Sequence, residues 1–202
     1  MTQLHDDLIV FDGLNISNWS PDVFEDMRRG GLTAANCTCS VWEGFQATMT
    51  NIATWKGYFR DHADLLRQVY TTTDIQHAKK EGKTGIVLGF QNAAAFEDNP
   101  GYVQLFKELG VGIVQMCYNT QNLIGTGCYE SDGGLSGYGH DVVAEMNRVG
   151  IMCDLSHVGP KTSDDVIQAS TKPVTYSHCL PSGLKDHPRM RCTRALLCTA
   201  RG

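Results

Sequence analysis

The chain has no run of eighteen apolar residues, so no segment of it reads as a membrane-spanning helix. It is short of positive charge: 17 lysines and arginines stand against 22 aspartates and glutamates, a formal net charge of −5. That balance argues against nucleic acid or an anionic membrane surface as the main partner. The first twenty residues, with Asp6, Asp7 and Asp12, lack the basic stretch and apolar core of a secretory signal, so a cytoplasmic location is expected. No C-x-x-C pair occurs; Cys37 and Cys39 are C-x-C, which on a strand share a face. Cys37, Cys117, Cys153 and Cys179 fall within or at the ends of apolar runs, where a thiol packs as a small hydrophobe. Reduced thiols are therefore expected, and the Asn-x-Ser/Thr triplets at Asn15, Asn18 and Asn36 carry no glycan. There is no Gly-x-Ser-x-Gly nucleophile elbow.

What the chain does contain is a repeated ending. Two apolar runs, residues 150–157 (GIMCDLSH) and 173–178 (PVTYSH), each close on Ser-His. His157 and His178 stand 21 residues apart, and residues 161–170 between them read as a helix. That is one strand-helix unit followed by the next strand. Adjacent strands lie about 4.8 Å apart, so two imidazoles at their carboxyl ends can converge on one ion. Imidazole is the commonest metal ligand, and α/β folds bind at this end of their strands. The bland reading is a pair of rim histidines hydrogen-bonded to their surroundings.

Strand-like and helix-like segments alternate along the rest. Residues 8–11, 31–41, 85–90 and 111–116 read as strands; 21–29, 101–109 and 141–149 read as helices. Residues 44–78 read as mostly helical, broken around Thr71-Thr72-Thr73, and the glycine-rich residues 125–139 as a flexible rim loop. Asn99-Pro100 supplies an N-cap and a first-turn proline for the helix after it. Continuously apolar strands mean burial on both faces, hence a parallel sheet wrapped by helices. A (β/α)₈ barrel of the TIM type needs about 250 residues. About six βα units in 202 residues therefore predict an incomplete barrel, with a doubly wound sheet as the alternative. Two open sheet edges would invite pairing with another chain, a homo-oligomer included.

The barrel is expected over residues 1–189. Residues 190–202 (MRCTRALLCTARG) change character abruptly, with three arginines and two cysteines and no strand signal. An altered or shifted reading frame is the expectation there.

Asp154-Leu155-Ser156-His157-Val158 and Tyr176-Ser177-His178 resemble the most specific blocks of the membrane (renal) dipeptidase family, zinc dipeptidases on a metal-dependent-hydrolase barrel. Asp12-Gly13-Leu14-Asn15, Gly89-Phe90-Gln91 and Tyr118-Asn119-Thr120 align in order with further blocks, over residues 8–189. The resemblance implies a dipeptide or small-amide substrate, cleaved by metal-activated water. It implies zinc held by His157 and His178, with Gln91 at the position of the carboxylate that bridges two zincs in the family. It further implies substrate contacts from Tyr118, which replaces a histidine, and from Arg189, eleven residues past His178. Arg189 would grip a substrate carboxylate through its fork.

The departures from that pattern are chemical. Leu14 and Ile16 stand where a His-x-Asp pair holds the first zinc, and neither binds metal. Gln91 is neutral, and the family's late-strand aspartate has no counterpart, so the catalytic base is unassigned. One zinc at most is expected. A different reading follows from the same losses: an inactive homologue that binds an amino-acid-derived ligand or a partner protein.

Overall fold

The computed structural model describes residues 3–190. Six strands, β1 (Phe11–Asn15), β2 (Ala34–Ser40), β3 (Leu66–Gln68), β4 (Thr84–Phe90), β5 (Val111–Gln115) and β6 (Met152–Asp154), form one wholly parallel sheet. Helices α1 (Gln3–Asp7), α2 (Pro21–Arg29), α3 (Phe45–Asp61), α4 (Thr72–Glu81), α5 (Gly101–Glu108), α6 (Gly137–Val149) and α7 (Pro160–Ala169) alternate with them. The order β1-β2-β4-β5-β6 advances in one direction, with β3 paired beside β4. A doubly wound sheet would reverse its strand order at a switch point. Here only the short β3 steps off the path and the main order keeps one direction, so the sheet is an incomplete (β/α)₈ barrel.

All seven residues of β2 and all seven of β4 are buried, as expected of strands covered on both faces. On the outer face Ala35, Cys37, Ile86, Leu88 and Phe90 share a core with Phe24, Trp55, Phe106 and Met146 from α2, α3, α5 and α6. The inner face differs. Gly85 leaves room there for Ala34 and for Ala78 of α4, whose Cβ atoms would lie 3.3 and 3.4 Å from an added methyl. Handedness explains this placement. Strand β2 fills one edge of β4 along its length, so β3 shares the other edge with β5. Moving from β3 to β4 thus runs backwards, and a right-handed crossover puts α4 on the opposite face from α3. A cavity of about 550 Å³, lined by Phe11, Ile75, Val87, Ile113 and Met152 among others, lies on this inner side.

Several sequence boundaries need correction. The first strand is residues 11–15 rather than 8–11; Leu8 and Ile9 are half exposed, and Asp12 and Asn15 within β1 hid it. Strand β3 lies inside the stretch read as helix, too short at three residues to display a period. Helix α6 begins at Gly137, where Ser136 accepts from the Gly139 N–H at 2.9 Å; glycine's low helix propensity masked that start. The expected sixth strand, residues 173–178, is a single parallel bridge, Thr175 against Asp154. The N-cap of helix α5 falls one residue later than expected, on Pro100 rather than Asn99, and Asn99 accepts from the Gly101 N–H at 2.9 Å. Among the described residues no helix is long and apolar enough to cross a membrane. The tail at 190–202 lies, Met190 apart, outside the described residues.

Candidate metal centre

The serines of the two Ser-His blocks are its scaffold. Asp154, at the end of β6, is 1% exposed. Its Oδ1 accepts from the Ser156 N–H (3.0 Å), the Ser156 hydroxyl (2.9 Å) and the Ser177 N–H (3.1 Å). Its Oδ2 accepts from the Ser177 hydroxyl at 2.5 Å. The Ser156 oxygen in turn accepts from the His178 N–H at 3.1 Å. One buried carboxylate therefore ties the first block to the second. Gly13, from the middle of β1, closes the other side: a Cβ there would lie 2.6 Å from the Ser177 carbonyl oxygen.

The clamp brings the imidazoles together, with His157 Nε2 3.0 Å from His178 Nε2. Each ring is oriented through its far nitrogen, His157 Nδ1 on Asn119 Oδ1 at 2.7 Å and His178 Nδ1 on Ser177 Oγ at 2.6 Å. Burial pushes the His157 pKa down to about 3, assisted by the positive charge of Arg189 and by His178. Burial lowers His178 too; Asp154 and Asp12 oppose this and Arg189 adds to it. Neutral imidazole is the form that ligates metal.

These residues fit one divalent cation. Tetrahedral zinc with Zn–N near 2.0–2.1 Å separates two ligand nitrogens by about 3.3 Å, close to the spacing found. A ligating histidine is usually held through its other ring nitrogen by a carboxylate, a backbone carbonyl or a water, and here an amide oxygen and a hydroxyl take that place. Among the described residues no group of three or more His, Cys, Asp or Glu converges, at the imidazole pair or elsewhere. On the β1 side Leu14 and Ile16 offer no donor side chain, and Ile16 is exposed at 64%.

Tyr118 stacks on His157, with centroids 4.3 Å apart and planes 26° apart, and the exposed Trp42 meets Tyr118 edge-on at 5.1 Å. Arg189 reaches the site, its Nη2 donating to the His178 carbonyl at 3.3 Å. Gln91 sits just past β4. Its N–H donates to the Ser40 carbonyl and its own carbonyl accepts from Gln115 Nε2 at 2.5 Å. No hydrogen bond joins its carboxamide to either imidazole. Four of the five sequence candidates are thus gathered, and Gln91 stands apart from that hydrogen-bonded group.

Residues 125–139 are not the loose loop expected. Cys128 N–H donates to the His157 carbonyl at 2.8 Å, Gly127 bridges Val158, and Asp132 accepts from the Lys161 and Thr162 N–H groups at the start of α7. Three contributors escaped the sequence reading: Asp154 as clamp, Asn119 as ring support and Trp42 as outer wall. The Asp-x-Ser spacing of residues 154 and 156 was a usable signal, because a carboxylate two residues before a serine closes an Asx-type turn. Nothing local marked Asn119, which lies 38 residues from its partner.

A parallel α/β sheet with titratable side chains gathered beyond its carboxyl ends defines a barrel of the class that does its chemistry on the βα loops. Residues 14–193 match the family model for membrane dipeptidase (peptidase family M19), and the chain belongs to that family. It is 67% identical to an amidohydrolase from Pseudomonas aeruginosa of known structure, with a TM-score of 0.96 over 98% of this chain and 61% of that one. A metallo peptidase from Rhodobacter sphaeroides, liganded with a phosphinate mimic of the dipeptide L-Ala-D-Ala, shares the fold. Its identity is 19% and its TM-score 0.86, over 96% of this chain and 71% of that one. Dipeptidase verJ of Clonostachys rogersoniana is 29% identical over 151 residues, 73% of this chain and 39% of its own length. The chain thus spans about two fifths of that relative and three fifths of the Pseudomonas protein.

Proposed function

We propose that this chain carries the metal-binding part of a hydrolase that cleaves a dipeptide or a small amide, with one zinc held by His157 and His178. The observation that supports this most is the pair of neutral imidazoles with Nε2 atoms 3.0 Å apart beside Arg189. When bound, zinc polarises a carbonyl and acidifies a water at neutral pH. The chain's own residues position the substrate. Arg189 pairs with the substrate carboxylate, and its buried Nε, which has no partner, is the donor left over for that fork. Tyr118, fixed between Trp42 and His157, offers its phenol as a hydrogen-bond donor where the family has a histidine. Gln91 is the neutral oxygen donor that the family resemblance puts among the ligands, and it stands outside the imidazole pair's hydrogen bonds. A cytoplasmic setting belongs to this reading; Cys37, Cys39, Cys117 and Cys153 are buried thiols that need no oxidising compartment.

A second reading, an inactive homologue that binds an amino-acid-derived ligand, is favoured by Leu14, Ile16 and Gln91 in place of charged ligands. Dipeptide turnover by the purified chain, measured with and without added zinc, separates the two. Zinc-dependent turnover that falls at least tenfold in Arg189→Ala, chiefly through KM, is the expected result. Dipeptide binding by calorimetry with no turnover at any zinc concentration would replace the hydrolase with the binding protein.

A further inference from the structure

We infer that Asn119 is a positioning residue: it sets which nitrogen of His157 carries the proton, and so decides whether the imidazole pair can accept a cation. The inference rests on the single-cation reading of the site.

Asn119 and His157 are both held in the left-handed backbone region, at φ 64 and φ 63, uncommon for residues other than glycine. One loop enforces both. Tyr129 N–H donates to the Asn119 carbonyl at 3.0 Å, and Cys128 N–H donates to the His157 carbonyl at 2.8 Å. The intervening Gly127 packs so closely that a Cβ would lie 2.2 Å from the Asn119 carbonyl carbon. The two side chains therefore meet on a braced backbone, with Asn119 Oδ1 2.7 Å from His157 Nδ1. Cys128 Sγ lies 3.9 Å from the same oxygen.

An amide oxygen accepts, so Nδ1 holds the ring proton and Nε2 is a bare lone pair. The same logic runs on the other ring. Ser177 has a single proton, given to Asp154 Oδ2, so its oxygen accepts from His178 Nδ1–H. Both Nε2 lone pairs then face each other across 3.0 Å, an arrangement that repels until a cation lies between them. Rotating the Asn119 carboxamide would reverse the outcome. Its NH₂ would donate to Nδ1, the ring proton would move to Nε2, and that N–H would donate to His178. The pair would be satisfied and closed to metal.

Histidine tautomers read by long-range ¹⁵N–¹H NMR on the metal-free chain test this, together with zinc affinity from competition with a chromophoric chelator. Wild type should show His157 protonated at Nδ1. Asn119→Ala should lose that preference and bind zinc 10–100-fold more weakly, the usual cost of removing an outer support. Asn119→Asp, an acceptor only, should keep the tautomer and bind at least as tightly as wild type. Nε2 protonation in wild type, or an unchanged affinity in Asn119→Ala, would overturn the role. A wild-type chain that binds no zinc would instead sink the single-cation reading, while the tautomer measurement would still decide the part played by Asn119.

Discussion

Asp154→Ala is expected to cost about 3–4 kcal/mol and to abolish metal binding, the largest single loss at this site. The substitution removes an acceptor buried at 1% exposure and strands four donors: two backbone N–H groups and two hydroxyls. Each buried donor left without a partner costs about 1–3 kcal/mol, and partial rehydration of the rim brings the sum below the simple total. Asp154→Asn keeps one acceptor oxygen but turns an NH₂ toward a serine hydroxyl, so about 1–2 kcal/mol is expected for it. Urea unfolding at constant slope measures both. An Asp154→Ala midpoint equal to wild type would show that the two Ser-His blocks do not depend on the shared carboxylate.

The second large effect is a gain. Leu14→His, Ile16→Asp and Gln91→Glu together should raise the metal content from one ion per chain to two, because they restore the donor types that the family pattern has at those positions. Leu14 and Ile16 lie at and just past the end of β1, and Ile16 is 64% exposed, so new polar groups there bury no unpaired charge. Gln91→Glu supplies the anion that two dications need between them. Metal content by elemental analysis after dialysis reads the result. A value that stays at one would mean that the lost ligands do not alone account for the missing second site.

The alternation of the elements, the parallel sheet and the pairing of His157 with His178 were legible because each rests on local pattern. Apolar runs of five to seven residues, glycine stops and a repeated Ser-His ending are visible within short windows. What escaped depends on distance in sequence. The inner-face position of α4 follows from β3, a three-residue strand whose pairing with β4 is not written in its composition. The extra length of α6 was masked by glycines that a serine cap compensates. At the centre, the histidines announced themselves, whereas Asn119 became a partner only when the loop through Gly127 folded back onto Val158. Gln91 shows the converse: alignment placed it among the ligands, but its backbone is engaged with β2 and with Gln115 while its carboxamide stays outside the imidazole pair's hydrogen bonds.

Calorimetric titration of the metal-free chain with zinc is the most direct check on the shared-cation site. Wild type should bind one equivalent, and His157→Ala and His178→Ala should each bind none. Binding that survives loss of either ring, or a wild-type stoichiometry of zero, would contradict it.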